Sequence, residues 1–291
     1  MSAERRGMLL MIAFVVLWTL VELVAARLVA AYTAYQVVWM RYGVHLALMW
    51  AWWGWREPAS LVRTRRPGFQ LARSALMFVM PISWFLGTQA GVPIGTTMAL
   101  FWLAPLVTLA AAAFWLREPA GARTWAVALV AATGAALFYL PLKLPERNWL
   151  LLAPMAMGLS FALYLVMTRS LRTEPRRANL FYTALGVFVL LTPVQPFIWV
   201  TPGWGDLARF VAVGVIGYLT LLVLDRLAAA APWSVTAPAC FLQLALSIGL
   251  GLALGHFAFD GANLAALALT CAPLALLFAA RPAAQVRQEP A

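Results

Sequence analysis

The chain has 291 residues, of which 64% are hydrophobic and 11% are charged, and its formal net charge is +11. Its mean hydropathy of +0.85 excludes a soluble domain, because soluble chains are about half apolar and a quarter charged. The basic residues lie between apolar segments and form no patch, so we expect no nucleic-acid partner. The composition predicts an integral membrane protein whose partners are the lipid bilayer and a small-molecule substrate.

Ten segments follow one another with short connections, and each approaches the roughly 20 residues that a helix needs to cross a bilayer. They are residues 8–28, 34–54, 69–91, 96–116, 124–141, 149–169, 179–200, 208–228, 233–254 and 261–280. We predict an all-α integral membrane protein with ten transmembrane helices as two inverted five-helix repeats. The repeats are residues 1–143 and 148–281, followed by a short tail, 282–291. An odd number of helices per half gives the two halves opposite orientations.

The basic residues set the predicted orientation of these helices. Sixteen fall on one side: Arg5, Arg6, Arg56, Arg63, Arg65, Arg66, Arg73, Arg117, Arg123, Arg169, Arg172, Arg176, Arg177, Arg226, Arg281 and Arg287. Four fall on the other side, namely Arg27, Lys143, Arg147 and Arg209, and Arg41 is left inside a span. The positive-inside rule then places both termini in the cytoplasm. We expect a multi-pass protein of the bacterial inner membrane, as a monomer or homodimer.

Glu22, Arg41, His45 and Asp225 are ionisable side chains inside predicted spans. Each costs roughly 2.5–3.5 kcal/mol in a bilayer, so each should face a cavity or a partner. Glu22 and Arg41 lie at similar depth if the first two helices pack antiparallel, and His45 lies one turn from Arg41. One hypothesis is a cluster that binds a substrate carboxylate or carries a coupling proton. The other is a structural ion pair between the two helices.

Asp225 is followed by Arg226 near the cytoplasmic end of its helix. The first interpretation is a charge pair at the helix end, and the second is a role in gating or proton coupling. Glu118 and Arg123 flank the connection after the fourth helix, where they can cap helix ends and pair. That arrangement favours a structural role.

Deep aromatic and amide side chains complete the candidate substrate-binding set. Aromatic faces can stack on an aromatic or cationic ligand, although packing positions explain them equally well. The full set is Trp18, Glu22, Arg41, His45, Trp84, Trp102, Tyr164, Tyr218 and Gln243. Glu22 and Asp225 are the candidates for proton coupling. We expect no catalytic residue, no metal site and no cofactor.

Several motifs occur together in a characteristic order. The apolar run of the first helix ends with Trp18 and then Arg27. Residues 36–42 form the run Gln-Val-Val-Trp-Met-Arg-Tyr. Residues 102–105 are Trp-Leu-Ala-Pro, and 116–118 are Leu-Arg-Glu, followed by Arg123. This pattern resembles the EamA-like group of the drug/metabolite transporter superfamily along essentially the whole chain. The second half departs from it, with Gln243 at an expected proline and Gly255-His256 at an expected Gly-Glu.

The resemblance implies a ten-helix inverted-repeat carrier with a central cavity, and no enzyme. Members of this group export amino acids or drugs, or import metabolites such as S-adenosylmethionine and riboflavin. A flippase for lipids or lipid-linked sugars is an alternative within the same superfamily, and a channel is another rival. Residues 203–206, Gly-Trp-Gly-Asp, look like the Gly-x-Gly-Asp motif of intramembrane aspartyl proteases. They fall in a predicted outer loop, and no second intramembrane aspartate precedes them in a Tyr-Asp context, so we interpret that match as chance.

Overall fold

The computed structural model describes residues 3–255 and 260–279, and within these ranges the fold is helical and contains no strand. His256 and the predicted tail, 282–291, lie outside the described residues. The all-α part of the prediction is confirmed. The first helix begins at Ala3, five residues before the predicted start, because the helix continues past the apolar segment through Glu4, Arg5 and Arg6.

Ten helical segments follow one another in the described chain. We number them α1 (Ala3–Leu28), α2 (Ala34–Met49), α3 (Pro67–Gln89), α4 (Ile94–Trp115), α5 (Ala122–Phe138), α6 (Asn148–Ser170), α7 (Arg176–Ile198), α8 (Trp204–Ala230), α9 (Trp233–Ala253) and α10 (Gly261–Ala279). A π-helical turn, Trp50–Gly54, extends α2, and a one-turn helix, Ala59–Val62, precedes α3.

Seven of these segments are long and apolar enough to cross a membrane: α1, α3, α4, α6, α7, α8 and α9. The helix α5 and the stretch Gly261–Ala275 of α10 are shorter apolar helices. The helix α2 carries Gln36, Arg41 and His45, which lower its hydropathy. The protein is therefore a multi-pass membrane protein.

Helix packing brings the two halves of the chain into extensive contact. The helix α1 packs on α8, α3 packs on α6, and α5 packs on α10. The helix α2 contacts α7 and α8, while α3 contacts α7. The helix α4 lies against α6, and α9 lies against α1 and α10. A continuous core therefore joins the first five segments to the last five.

Connections between the helices gather at two faces of the bundle. We call one the Arg-rich face; it carries the connections 55–66, 116–121, 171–175 and 231–232. The other, which we call the Arg-poor face, carries the connections 29–33, 90–93, 139–147 and 199–203. Interhelical bonds support this grouping: on the Arg-poor face the Gln36 amide donates to the Val200 carbonyl at 2.6 Å. On the same face the Tyr32 hydroxyl donates to Asp206 at 2.9 Å.

Two connections on the Arg-rich face are tied together by Glu174. Its carboxylate accepts hydrogen bonds from the Arg65 backbone N–H at 2.9 Å and from the Thr64 hydroxyl at 2.8 Å. These bonds to the charged form lower the pKa of Glu174 below its ordinary value. The connection before α3 is thereby fixed to the one before α7.

Gly214 of α8 lets α2 approach closely, because a side chain there would overlap Val44 of α2. The overlapping atom is the Val44 Cβ, which cannot move unless α2 itself moves. We therefore expect Gly214→Ala to destabilise the protein by roughly 1–3 kcal/mol. Gly205→Ala on the same helix is the control, because a Cβ at Gly205 meets nothing within 4 Å. Thermal unfolding in detergent should separate the two variants, and equal midpoints would contradict the close packing of α2 on α8.

Candidate functional site

A cavity of about 390 Å³ lies between the two halves, on the side of the Arg-poor face. Its wall comes from α1, α3, α4, α6 and α9, together with Val29 and Tyr139 at helix ends. The residues lining it are Trp18, Glu22, Ala25, Ala26, Val29, Met80, Pro81, Trp84, Met98, Phe101, Trp102, Tyr139, Met157, Gln243, Leu244 and Ser247. Such a volume falls in the range of sites for small organic ligands.

Glu22 is the acidic residue of this cavity wall. The Gln243 amide donates a hydrogen bond of 2.5 Å to the Glu22 carboxylate, and Gln243 also lies 3.3 Å from the Ser247 hydroxyl. Trp18, one turn earlier on α1, lines the same cavity. A carboxylate held between α1 and α9 can bind a positively charged group or exchange a proton.

Aromatic side chains close the cavity on its inner side. Trp18 contacts Phe161 with ring centroids 5.1 Å apart and stacks on Trp102 at 6.2 Å. Trp102 in turn lies 5.9 Å from Phe241. We call Trp18, Phe101, Trp102, Phe161 and Phe241 the aromatic floor. It separates the cavity from the Arg-rich face and presents ring faces to a ligand.

Two helices that line the cavity are interrupted beside it. The helix α4 consists of Ile94–Phe101 and Ala104–Trp115, with Pro105 just after the break. The helix α9 contains a 3-10 turn, Ala237–Cys240, that includes Pro238. Proline removes a backbone donor and breaks the helix, and broken helices of this kind mark binding sites in transporters.

Arg41 and His45 lie outside the cavity, where α2 packs on Gly217 of α8. In the described structure Arg41 forms no salt bridge with Glu22, whose carboxylate instead accepts a hydrogen bond from Gln243 of α9. The structural ion pair between Glu22 and Arg41, one of the two hypotheses for these residues, is therefore wrong as a direct contact, because the two side chains face different helices. The His45 ring packs on Tyr42 and on Tyr218, at 4.9 and 5.9 Å. Tyr218 thus belongs to this α2–α8 contact.

A buried polar network lies between the cavity and the Arg-rich face, where α3, α6, α7 and α8 meet. Arg73 is 1% exposed, and its guanidinium donates to Thr168 at 3.1 Å and to Gln70 at 3.0 Å. A third bond joins Arg73 to the Asn179 carbonyl. Its Cζ also lies 5.3 Å from the Tyr164 ring centroid, which places Tyr164 in this network.

Asp225 completes the network on α8. The Asn179 amide donates to Asp225 at 2.9 Å, and Arg176 of α7 pairs with it at 3.2 Å. The expectation that Asp225 pairs with its neighbour Arg226 is wrong. Successive residues on a helix point in different directions, so Asp225 faces α7 while Arg226 is exposed.

A second ion pair joins four helices at the Arg-rich face. The Arg169 Nε lies 2.5 Å from Glu118, and both side chains are nearly buried. Arg169 also donates to the carbonyls of Ala228 and Ala231, at 2.5 and 2.8 Å. Glu118 accepts the backbone N–H of Trp233 at 3.2 Å. We call these residues the Glu118–Arg169 tie; it links the ends of α4, α6 and α8 to the start of α9.

The structure brings five predicted residues together at the cavity and leaves the others elsewhere. Those five are Trp18, Glu22, Trp84, Trp102 and Gln243. Tyr139 and Ser247 of the cavity wall were not predicted from the sequence, and Arg73 and Arg169 were counted only among the basic residues that set the orientation. Arg73 could have been found from Gln70, because three residues separate these polar side chains on one helix face.

The Gly-Trp-Gly-Asp stretch has a simple structural role. Asp206 of the Gly-Trp-Gly-Asp stretch lies in the first turn of α8, where it binds Arg209 at 2.5 Å and accepts the Tyr32 hydroxyl. That carboxylate is occupied by structural contacts. Within residues 3–255 and 260–279, no group of three His, Cys, Asp or Glu side chains is arranged to hold a metal ion.

This architecture defines a class: helical multi-pass membrane proteins with a central cavity between two halves. Residues 5–140 match the model of the EamA-like transporter family. The match confirms, for the first half of the chain, the resemblance that the motifs predicted.

Curated relatives point the same way. The chain is 28% identical over 190 residues to an S-adenosylmethionine uptake transporter of Rickettsia bellii, with 64% of each chain aligned. It is 29% identical over 190 residues to the protein of that name from Rickettsia felis, with 64% of this chain and 63% of the relative aligned. The chain thus spans slightly less than two thirds of these relatives. The matched family model and the names of these relatives both describe transporters.

A solved crystal structure of another protein shares the fold. It superposes with a TM-score of 0.81 over 93% of this chain and 95% of the other, at 18% sequence identity. At that identity the likeness concerns the fold alone.

Proposed function

We propose that this protein is a secondary transporter that moves a small organic metabolite across the bacterial inner membrane by alternating access. The substrate classes we consider are amino acids, vitamins, nucleoside-like compounds and drugs. The observation that carries the proposal is the cavity between the halves, in which the Glu22 carboxylate is surrounded by aromatic side chains. The chain itself performs no reaction in this account.

Two inverted five-helix repeats are the architecture we propose for this carrier, with all ten segments in the membrane. In such a repeat each helix of α1–α5 corresponds to the helix five places later, so that α1 corresponds to α6, α2 to α7 and α3 to α8. The α1–α8 contact then corresponds to the α6–α3 contact, and the α2–α8 contact corresponds to the α7–α3 contact. Both members of each pair are present. The α2–α7 and α5–α10 contacts map onto themselves, and the interrupted helices α4 and α9 correspond. Such symmetry supports rocking of one half against the other.

The proposed resting state is open toward the Arg-poor face. The cavity reaches Val29, at the end of α1 on that face. The aromatic floor, the Arg73 network and the Glu118–Arg169 tie lie between the cavity and the Arg-rich face. With both termini in the cytoplasm, as the charge distribution predicts, this state faces outward.

The cavity suits an organic cation with an aromatic ring. One carboxylate can pair with the positive charge, while Trp18, Trp84, Trp102 and Tyr139 offer ring faces for stacking and cation–π contact. S-adenosylmethionine, the substrate in the names of the Rickettsia relatives, has a sulfonium, an ammonium and an adenine ring. We therefore choose it as the first ligand to test.

Trp102→Ala should weaken S-adenosylmethionine binding by about 2- to 30-fold, since a cation–π contact contributes roughly 0.5–2 kcal/mol. Trp115→Ala is the matched control, because Trp115 is on the same helix, half exposed, and packs on Phe69 away from the cavity. The measurement is equilibrium binding to purified protein. If vitamins, nucleosides or amino acids bind in place of S-adenosylmethionine, the carrier proposal stands with another substrate. Absence of binding by every class would contradict it.

Proton coupling is part of the proposal. Glu22 lies in the cavity, and Asp225 lies in the network that closes the opposite side. A carboxyl group on each side of the aromatic floor can release or bind a proton when the cavity changes the side of the membrane to which it is open. Transport by wild-type protein should therefore respond to an imposed pH gradient, whereas an equal response of Glu22→Gln would exclude Glu22 from coupling.

A lipid flippase is the second candidate, favoured by a neighbouring cavity of about 480 Å³. The two cavities share Met98, Tyr139, Leu244 and Ser247, and the second is lined mainly by apolar side chains of α4, α5 and α9, with Asn263 of α10. A substrate with an apolar tail would fit this pair of cavities. Translocation of fluorescent lipid in proteoliposomes, without transport of soluble ligands, would support the flippase and contradict the metabolite transporter.

A further inference from the structure

The Arg-rich face carries a separate cavity of about 490 Å³. It shares no lining residue with the central cavity. Its rim contains four arginines, Arg63, Arg176, Arg177 and Arg226, and its wall includes the apolar side chain of Leu222. A basic cavity at the end of a helical bundle is a feature that the transport proposal does not use.

Two of the four arginines at this cavity pair with carboxylates, and the other two remain available to bind a ligand. Arg177 pairs with Glu57 at 2.8 Å, and Arg176 pairs with Asp225 at 3.2 Å. Arg63 and Arg226 are exposed, and the guanidinium group of neither forms a hydrogen bond or ion pair with the described part of the chain. The rim therefore has two unneutralised guanidinium groups, which favour an anionic ligand with oxygen acceptors.

The N-terminus of α7 adds to the positive potential. The helix begins at Arg176 after Pro175, and Pro175 has no side chain that could cap the first turn. Both residues line the cavity. The free backbone N–H groups and the positive end of the helix dipole favour a phosphate at this place.

The inner wall and the surroundings of the cavity are suited to lipid. Trp53, Leu180 and Leu222 form an apolar wall below the arginines. The adjoining end of α2 exposes Trp50, Trp52 and Trp55, which are 57%, 74% and 60% exposed. Tryptophans at a helix end mark the interface between lipid and water. A ligand here can place a charged group among the arginines and an apolar tail along α2.

We propose that this cavity binds the phosphate group of an anionic phospholipid, with the acyl chains along the tryptophan-bearing end of α2. Anionic headgroups bind in basic pockets between membrane helices, because the phosphate pairs with the guanidinium groups while the chains remain in the bilayer. Binding fixes the start of α7 to the end of α2. Arg63 and Arg226 are the residues that recognise the headgroup.

The test is native mass spectrometry of the purified full-length protein with phosphatidylglycerol or phosphatidylcholine of identical acyl chains. Wild-type protein should retain phosphatidylglycerol and lose phosphatidylcholine. The double variant Arg63→Gln/Arg226→Gln should bind phosphatidylglycerol roughly 10- to 30-fold more weakly, given about a factor of five per arginine. Arg172→Gln, an exposed arginine on the same face outside the cavity, should behave as wild type.

Competition with soluble ions distinguishes a lipid from free phosphate. Inorganic phosphate and glycerol 3-phosphate should leave the phosphatidylglycerol adduct intact, because they lack the acyl chains. Displacement by inorganic phosphate at equal concentration, or equal retention of lipid by the double variant, would overturn the proposal. Since the guanidinium groups of Arg63 and Arg226 have no partner within the described fold, thermal unfolding of the double variant in phosphatidylcholine should match wild type.

Discussion

Glu22→Gln is expected to reduce transport of a cationic substrate by about 10- to 150-fold, because a hydrogen bond to a charged group contributes roughly 1.5–3 kcal/mol. Glutamine keeps the size of the side chain and can still bond to Gln243, which donates to Glu22 at 2.5 Å. The variant therefore changes the charge of the cavity and little else. Uptake of labelled substrate into proteoliposomes measures the effect.

Glu4→Gln is the matched control for this prediction, since Glu4 lies on the same helix in its first turn, outside the cavity. It should transport at the wild-type rate. Glu22→Asp should retain part of the activity, because it keeps the charge. Full transport by Glu22→Gln, with unchanged dependence on pH, would exclude Glu22 from both substrate binding and proton coupling.

Arg169→Met is expected to give the largest loss of stability, roughly 3–5 kcal/mol. The substitution leaves the nearly buried Glu118 carboxylate without its cation and removes the donor to the Ala228 and Ala231 carbonyls. Four helix ends lose their common contact. Thermal unfolding in detergent should show the loss as a lower midpoint.

A double-mutant cycle tests whether the Glu118–Arg169 tie is the cause. The double variant Glu118→Gln/Arg169→Met should be more stable than the sum of the two single effects predicts, because no unpaired buried charge remains. Arg172→Met, at an exposed position on the same face, should unfold as wild type does. Additive effects in the cycle would contradict a direct coupling of Glu118 and Arg169.

Much of the fold could be predicted from local composition. Apolar segments and arginine-rich connections locate the helices to within a few residues, because a membrane helix must satisfy its own backbone and exclude charge. The start of α1 at Ala3 shows the limit: hydropathy detects where the apolar segment begins, whereas the helix extends further into water.

The candidate site could be predicted only in part, because helix contacts decide which deep residues meet. Depth along the helices suggested that Glu22 meets Arg41, yet Gln243, 221 residues away, is its hydrogen-bond partner. Gln243 was recognised as a polar residue at an expected proline, and nothing local indicated that it faces α1. Arg169 lies at a helix end on the side where the positive-inside rule expects basic residues, so its position alone does not indicate a buried role. Its bonds to Glu118 and α8 could be recognised only from the packing of α4, α6 and α8.

Counterflow in proteoliposomes is the most direct test of the transport proposal. Vesicles preloaded with unlabelled substrate should accumulate labelled substrate transiently, with saturation as its concentration rises. Glu22→Gln should reduce that exchange, and Glu4→Gln should leave it unchanged. Flux that rises without saturation, and that preloading does not accelerate, would contradict a carrier with a central binding cavity and would indicate a channel instead.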